Sequence, residues 1–105
     1  MEKNYKYLVD MYKDPYFPTF LVDKIKVLIQ EVEQFIEEGN KSLEEIQNKL
    51  DNMTLSINAL EEEFEESNSE LETCAREAIA DTVYNMLKHY NIDIDIETAI
   101  QERSW

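Results

Sequence analysis

The sequence predicts an all-α fold, a compact bundle of three main helices with a short helix at each end. Three observations carry this reading. Apolar residues recur at steps of three and four along residues 21–36, 43–64 and 71–90, the period of a helical face. Helix start and stop residues stand at the edges of these stretches. One glycine and two prolines in 105 residues leave too few turn formers for most β architectures. The one run of period two, Ile92-Asp93-Ile94-Asp95-Ile96, has no partner run and reads as an extended connector.

The elements follow in chain order. Asn4 can cap a short first helix reaching about Lys13, with Leu8, Val9 and Tyr12 inward. Asp14-Pro15-Tyr16-Phe17-Pro18 breaks it, because a residue before proline is steered away from helical angles. Thr19 is the expected cap of the second helix, whose inner face is Leu21, Ile25, Leu28, Ile29, Val32 and Ile36. Gly39 stands where a residue of positive φ ends a helix.

Ser42 and Glu45 form the capping-box pattern for the third helix. Leu43, Ile46, Leu50, Met53, Ile57, Leu60 and Phe64 then alternate steps of three and four, three heptads of a/d spacing. Such a helix is about 37 Å long at 1.5 Å per residue. The seam faces either another helix of the same chain, which a small domain favours, or a second copy, so a monomer or a homodimer is expected.

Asn68 is suited to ending that helix in the left-handed region. Ser69 and Glu72 repeat the capping-box pattern, so a fourth helix is expected from there. Its stripe is Leu71, Cys74, Ala75, Ala78, Ile79, Val83, Met86, Leu87 and Tyr90. The width of that stripe marks the fourth helix as the central, most buried element. Asn91 ends it, and Asp95 can cap a short last helix with Ile96, Ala99 and Ile100 inward before Trp105.

Length and charge bound the function. The chain reads as one domain spanning residues 1–105. Its net charge is −14, with 24 acidic against 10 basic residues. Binding a phosphate backbone needs a basic surface that this chain lacks, so no nucleic acid and no anionic membrane is expected as partner. No stretch approaches the apolar length of a membrane span, and residues 1–7 do not read as a secretory signal. A single cysteine allows no internal disulfide, which fits a reducing cytoplasm.

The charge is uneven. Residues 1–30 hold five lysines and four acidic residues, a net of +1, and residues 31–105 carry −15. Six of the eleven aromatics lie within the first 20 residues, at Tyr5, Tyr7, Tyr12, Tyr16, Phe17 and Phe20. An aromatic segment docking on a helical core accounts for them without base stacking.

The catalytic inventory is thin. Cys74 and His89, the candidate nucleophile and base, stand 15 residues apart on one helix, roughly 22 Å along its axis. Cys74 reads as a small core residue, and His89 as a polar residue in a last turn. Met86 occupies the position three before His89, so the Glu-x-x-His motif of bundle di-iron sites is absent. One glycine cannot build a Gly-rich phosphate loop. No enzyme activity, cofactor or resident metal is expected.

The feature that helix energetics does not account for is Glu61, Glu62, Glu63, Glu65 and Glu66 at the end of the third helix. Negative charge there opposes the macrodipole by about 0.3–1 kcal/mol per residue. Glu61/Glu65 and Glu62/Glu66 add like-charge pairs at i,i+4. The run is a solvated face, a docking surface for a basic protein, or a weak divalent-cation site. Arg76 is placed to pair with Glu72, and a polar pocket near Tyr16, Asp23, Arg76 and Trp105 is a second candidate.

The stretch Tyr7–Lys24 (YLVDMYKDPYFPTFLVDK), with Phe64-Glu65-Glu66, Glu70–Ala80 (ELETCAREAIA) and Gln101–Trp105 (QERSW), resembles DUF5713, a family of small bacterial proteins of unknown function. The resemblance spans nearly the whole chain and implies an all-helical fold, with no activity or cofactor attached. The family tends to have glycine where this chain has Asn68. The matching Tyr16, Pro18 and Arg76-Glu77 imply that any shared site lies around them, which adds Glu77 to the pocket candidates. The resulting expectation is a non-enzymatic acidic module that binds a basic protein, as an immunity or antitoxin protein would. The competing expectation is a small-molecule or divalent-cation binder using carboxylates and tyrosines.

Overall fold

The computed structural model describes residues 8–105. Five helices follow in order: α1 (Val9–Lys13), α2 (Thr19–Glu37), α3 (Leu43–Glu66), α4 (Thr73–His89) and α5 (Ile96–Ala99). There is no strand among the described residues, and residues 92–95 form the extended connector. No helix is long and apolar enough to cross a membrane among those residues.

The frame is the antiparallel hairpin of α2 and α3. Its connection, residues 38–42, contains the two stop and start signals. Gly39 has φ +81° and its N–H bonds to the Ile36 carbonyl at 3.0 Å. The Ser42 hydroxyl accepts from the Glu45 N–H, and the Glu45 carboxylate accepts from the Ser42 N–H, so the capping box is complete. That bond to the Ser42 N–H holds the Glu45 carboxyl below its usual range. The a/d seam of α3 faces inward: Ile46, Leu50, Met53, Ile57, Leu60 and Phe64 are buried with Leu21, Ile25, Ile29 and Val32 of α2 in one core. Long packing within the chain therefore occupies the seam. Leu43 departs from it, 50% exposed, because it opens α3 at the hairpin turn. On α2, Leu28 is half-buried and Val22 is fully buried instead.

Asparagine ends the next two helices through Schellman closures. At the end of α3, Asn68 has φ 59°, its N–H bonds to the Glu65 carbonyl, and the Ser69 N–H bonds to the Phe64 carbonyl at 2.8 Å. At the end of α4, Asn91 has φ 57° and the Ile92 N–H bonds to the Leu87 carbonyl at 2.8 Å. The first closure corrects the expected start of α4. Ser69 belongs to the end of α3 and caps nothing. The N-cap is Glu72, and Leu71 is buried ahead of the helix. Cys74 is exposed and is no core residue, because it lies off the face that α4 buries. Ala75, Ala78, Ile79, Val83, Met86 and Leu87 are buried as expected, with Thr82 among them.

Nor is α4 the centre of the frame. Its backbone lies closest to α1 and α5, and the closest helix pair is α2 with α3. The α1 segment differs too. Asn4 lies outside the described residues. Leu8 is the N-cap, left-handed at φ 50°, and 1% exposed. Its N–H donates to the Thr82 hydroxyl at 3.0 Å, and that hydroxyl donates to the Ala78 carbonyl at 2.8 Å. Met11 is the buried residue of α1, whereas Tyr12 faces outward. Of the described N-terminal aromatics only Phe17 is buried, so this segment docks by Leu8, Met11 and Phe17.

The break before α2 is an Asx turn, with the Asp14 carboxylate accepting from the Tyr16 N–H at 3.0 Å. Pro18 is the N-cap of α2 in place of Thr19. Its carbonyl takes the N–H groups of Leu21 and Val22, and with no polar atom in its side chain it makes no side-chain cap. Asp95 caps α5 by accepting from the Glu97 N–H, and Ala99, Ile100 and Trp105 close the core.

Candidate functional site

The last two turns of α3 distribute the glutamates over three directions, as 100° per residue requires. Glu63 turns toward α2 and accepts from the Lys24 ammonium at 2.6 Å. Glu61 turns to the other flank and accepts from the Ser104 hydroxyl. Glu62 and Glu66 are exposed on the outward face, and Glu65 is exposed beside Glu61. No described residue forms an ion pair with Glu62, Glu65 or Glu66. Among the described basic residues Lys24 is taken by Glu63, Lys41 by Glu38 and the Phe35 ring, Lys88 by the Tyr84 ring and Arg103 by Glu97. Part of the run is thus neutralised within the chain, and its outer half is left to solvent.

The Schellman turn at Asn68 then folds Glu70 and Leu71 back alongside the end of α3. Glu61, Glu65, Glu70, Leu71, Ser104 and Trp105 line a cleft of about 380 Å³. Trp105 is 8% exposed, and its indole N–H meets no acceptor among the described residues. Sequence spacing had no means of adding Glu70 and Ser104, since their places depend on a turn and on the return of the chain after α5. Among the described residues no three carboxylate, imidazole or thiol groups are grouped to hold a metal ion.

The second candidate group is only partly assembled. The Arg76 guanidinium reaches the Trp105 carbonyl and the Thr73 hydroxyl, each at 3.4 Å, and leaves Glu72 unpaired by its side chain. Arg76 touches Glu72 through the backbone alone, its N–H on the Glu72 carbonyl at 2.9 Å. Asp23 accepts from the Tyr12 hydroxyl at 2.5 Å. Desolvation first, and Asp23 second, push the Tyr12 phenol well above its usual range. Tyr16 packs edge-on against Phe17 at 5.2 Å, and its phenol is also raised, by partial desolvation and then by Glu72 and Glu70. Glu77 is exposed on α4. No hydrogen bond or ion pair among the described residues joins Asp23 or Glu77 to Tyr16, Arg76 or Trp105. The member brought to the acidic run is Trp105.

The model of DUF5713, a family of unknown function, matches residues 1–105. The chain belongs to DUF5713. No curated protein and no solved structure matches it. For this DUF5713 chain the candidate site accordingly rests on geometry: an exposed acidic helix end flanked by a carboxylate-lined cleft. Cys74 and His89 lie at opposite ends of α4, so they form no catalytic pair. Desolvation, then Asp14 and Asp10, hold the Cys74 thiol above its usual range, the opposite of an activated nucleophile.

Proposed function

We propose that the protein is a non-enzymatic binding module that acts in the cytoplasm on a partner with a basic surface, the kind of role an immunity or antitoxin protein fills. One observation carries the reading. Glu62, Glu65 and Glu66 are exposed at the C-terminal end of α3 with no cation of the described chain upon them, where the helix dipole already makes the potential negative. Holding them there costs stability, and a cationic partner removes that cost. Arginine fits this role best, since its planar guanidinium bonds carboxylates in bidentate fashion. The net charge of −14 extends the attraction beyond contact and speeds encounter.

The cleft supports a second reading, a small amine seated among Glu61, Glu65 and Glu70 over the face of Trp105. The two readings separate by mutation, because Glu62 and Glu66 do not line the cleft. Immobilised full-length wild-type and E62K/E66K protein are compared for capture of basic proteins in a rising NaCl series. The expected result is salt-sensitive capture by the wild type only. Equal capture by both would overturn the docking reading. Raised thermal stability with millimolar 1,5-diaminopentane, lost in E61Q/E70Q, would favour the cleft.

A further inference from the structure

The α2–α3 hairpin has two sides. One is closed by the elements packed around α4. The other carries a groove of about 430 Å³ lined, among the described residues, by α2 and α3 at Asp23, Lys24, Val27, Leu28, Ser56 and Leu60. Its floor is aliphatic. Along its α2 edge runs an outward stripe at helical spacing, Phe20, Lys24, Val27 and Glu31, in which Phe20 is 56% and Val27 52% exposed. Beside the aliphatic floor these two side chains extend one contiguous apolar surface, which single exposed residues elsewhere on the chain do not.

The groove is continuous with the acidic end of α3. Ser56, Leu60 and Glu63 follow one another at i, i+4 and i+7, and the Lys24–Glu63 ion pair closes one end. A narrower extension, through Leu28 and Ser56 to Glu31 and Lys49, opens the other. From Lys24 to Glu31 the edge is about 10 Å long, two turns of a facing helix. Charge decides the occupant. The charged lining is balanced, Asp23 and Glu31 against Lys24 and Lys49, so the bias comes from exposed Glu62, Glu65 and Glu66 beyond Glu63 and from the net charge of the whole chain. A second copy would set two such faces, each on a chain of −14, within one Debye length of about 8 Å. An acidic or neutral helix gains the apolar contact without the attraction.

We infer that this groove receives an amphipathic helix of another protein, apolar along the stripe it buries and lysine- or arginine-rich on its flanks. The apolar stripe covers Val27, Leu28 and Leu60, and the flanking cations meet Asp23, Glu31 and the glutamates beyond Glu63. The inference rests on the basic-partner reading and names the form the partner takes. It follows the helix-in-groove mode of recognition, in which anchors at i, i+3, i+4 and i+7 fill an apolar channel.

The test uses the full chain and two model peptides, both with leucine at i, i+3, i+4 and i+7, one with lysine flanks and one with glutamate flanks. Binding is followed by fluorescence anisotropy, and the methyl resonances of Val27, Leu28 and Leu60 by NMR. The lysine peptide is expected to shift those methyls and to bind at least 10-fold more tightly than the glutamate peptide. V27D, at an exposed position that leaves the core alone, is expected to weaken it at least 10-fold. E62K/E66K is expected to weaken it less. Equal affinity for V27D and wild type, or unmoved methyls, would overturn the groove. If affinity falls with E62K/E66K and not with V27D, the docking reading survives and the groove does not. A wild-type dimer by light scattering that V27D splits would assign the groove to a second copy and overturn the inference.

Discussion

Replacing Thr82 by valine tests how α1 is held. Thr82 is buried, and its hydroxyl accepts the Leu8 N–H, a bond between residues 74 apart in sequence. Leu8 needs that partner, since its φ of 50° is a left-handed conformation that costs a non-glycine residue about 1–2 kcal/mol. Valine keeps the shape of threonine and removes the acceptor. The Leu8 N–H is then buried without a partner, at about 1–3 kcal/mol. The Ala78 carbonyl keeps its bond within the helix, so it adds little. Taking about 2 kcal/mol, and about 4–8 °C per kcal/mol for a domain near this size, Tm falls by roughly 8–16 °C. Thermal unfolding followed by circular dichroism at 222 nm reads the shift. Serine at the same position keeps the hydroxyl and loses one methyl, so T82S costs only about 1 kcal/mol. Amide exchange adds a local reading: the N–H groups of Met11 and Tyr12, which bond to the Leu8 carbonyl, exchange faster in T82V. A T82V protein within about 0.5 kcal/mol of wild type, or a T82S protein as unstable as T82V, refutes the account of Leu8 as a strained residue held by one hydroxyl.

Three further predictions follow from charge and titration. E65K/E66K should be more stable than wild type by roughly 0.3–1 kcal/mol per site, because the change reverses charge at a helix C-terminus; urea titration at low salt reads this, and a destabilised variant contradicts it. The Tyr12 phenol, raised above its usual range by desolvation and Asp23, contributes stability that is full below about pH 10 and is lost as pH rises toward its folded value; the stability difference between wild type and Y12F should therefore shrink above pH 10, and a constant gap counts against the pairing. Cys74 is exposed, yet its thiol is held above the usual range by desolvation and neighbouring carboxylates, so at pH 8 it should alkylate more slowly than it does in urea; equal rates would remove the effect.

Local chemistry made most of the helix ends legible. Gly39, Asn68 and Asn91 are left-handed, as their residue types allow, and Ser42 with Glu45 closes a complete capping box. Ser69 shows where local pattern fails. It has the spacing to Glu72 of a second box, but its N–H is committed to the Phe64 carbonyl, so the turn takes precedence and α4 starts at Thr73. Cys74 is outside the core for a different reason, since at 100° per residue it lies off the stripe centred on Ala75, Ile79, Thr82 and Met86. Thr82 was invisible as a core residue because its burial depends on a distant N–H. At the site, the glutamates were evident from sequence. What separated them was not: Lys24 neutralising Glu63 and Ser104 engaging Glu61 join residues about 40 apart. Trp105 joined the acidic run through the same long-range return, and Asp23 went to Tyr12.

The bond between Leu8 and Thr82 also orders events during synthesis. The α2–α3 hairpin uses near neighbours and closes through a five-residue connection, so it can form while the rest of the chain is still being made. The first helix is made before the others and lies against α2 over a short stretch, but the α4 face on which it mainly docks is missing until Thr82 follows 74 residues later. At about 5–20 residues per second that interval is several seconds. Throughout it, Leu8 and Met11, fully enclosed at the end, belong to a nascent chain that has not yet made the helix that covers them.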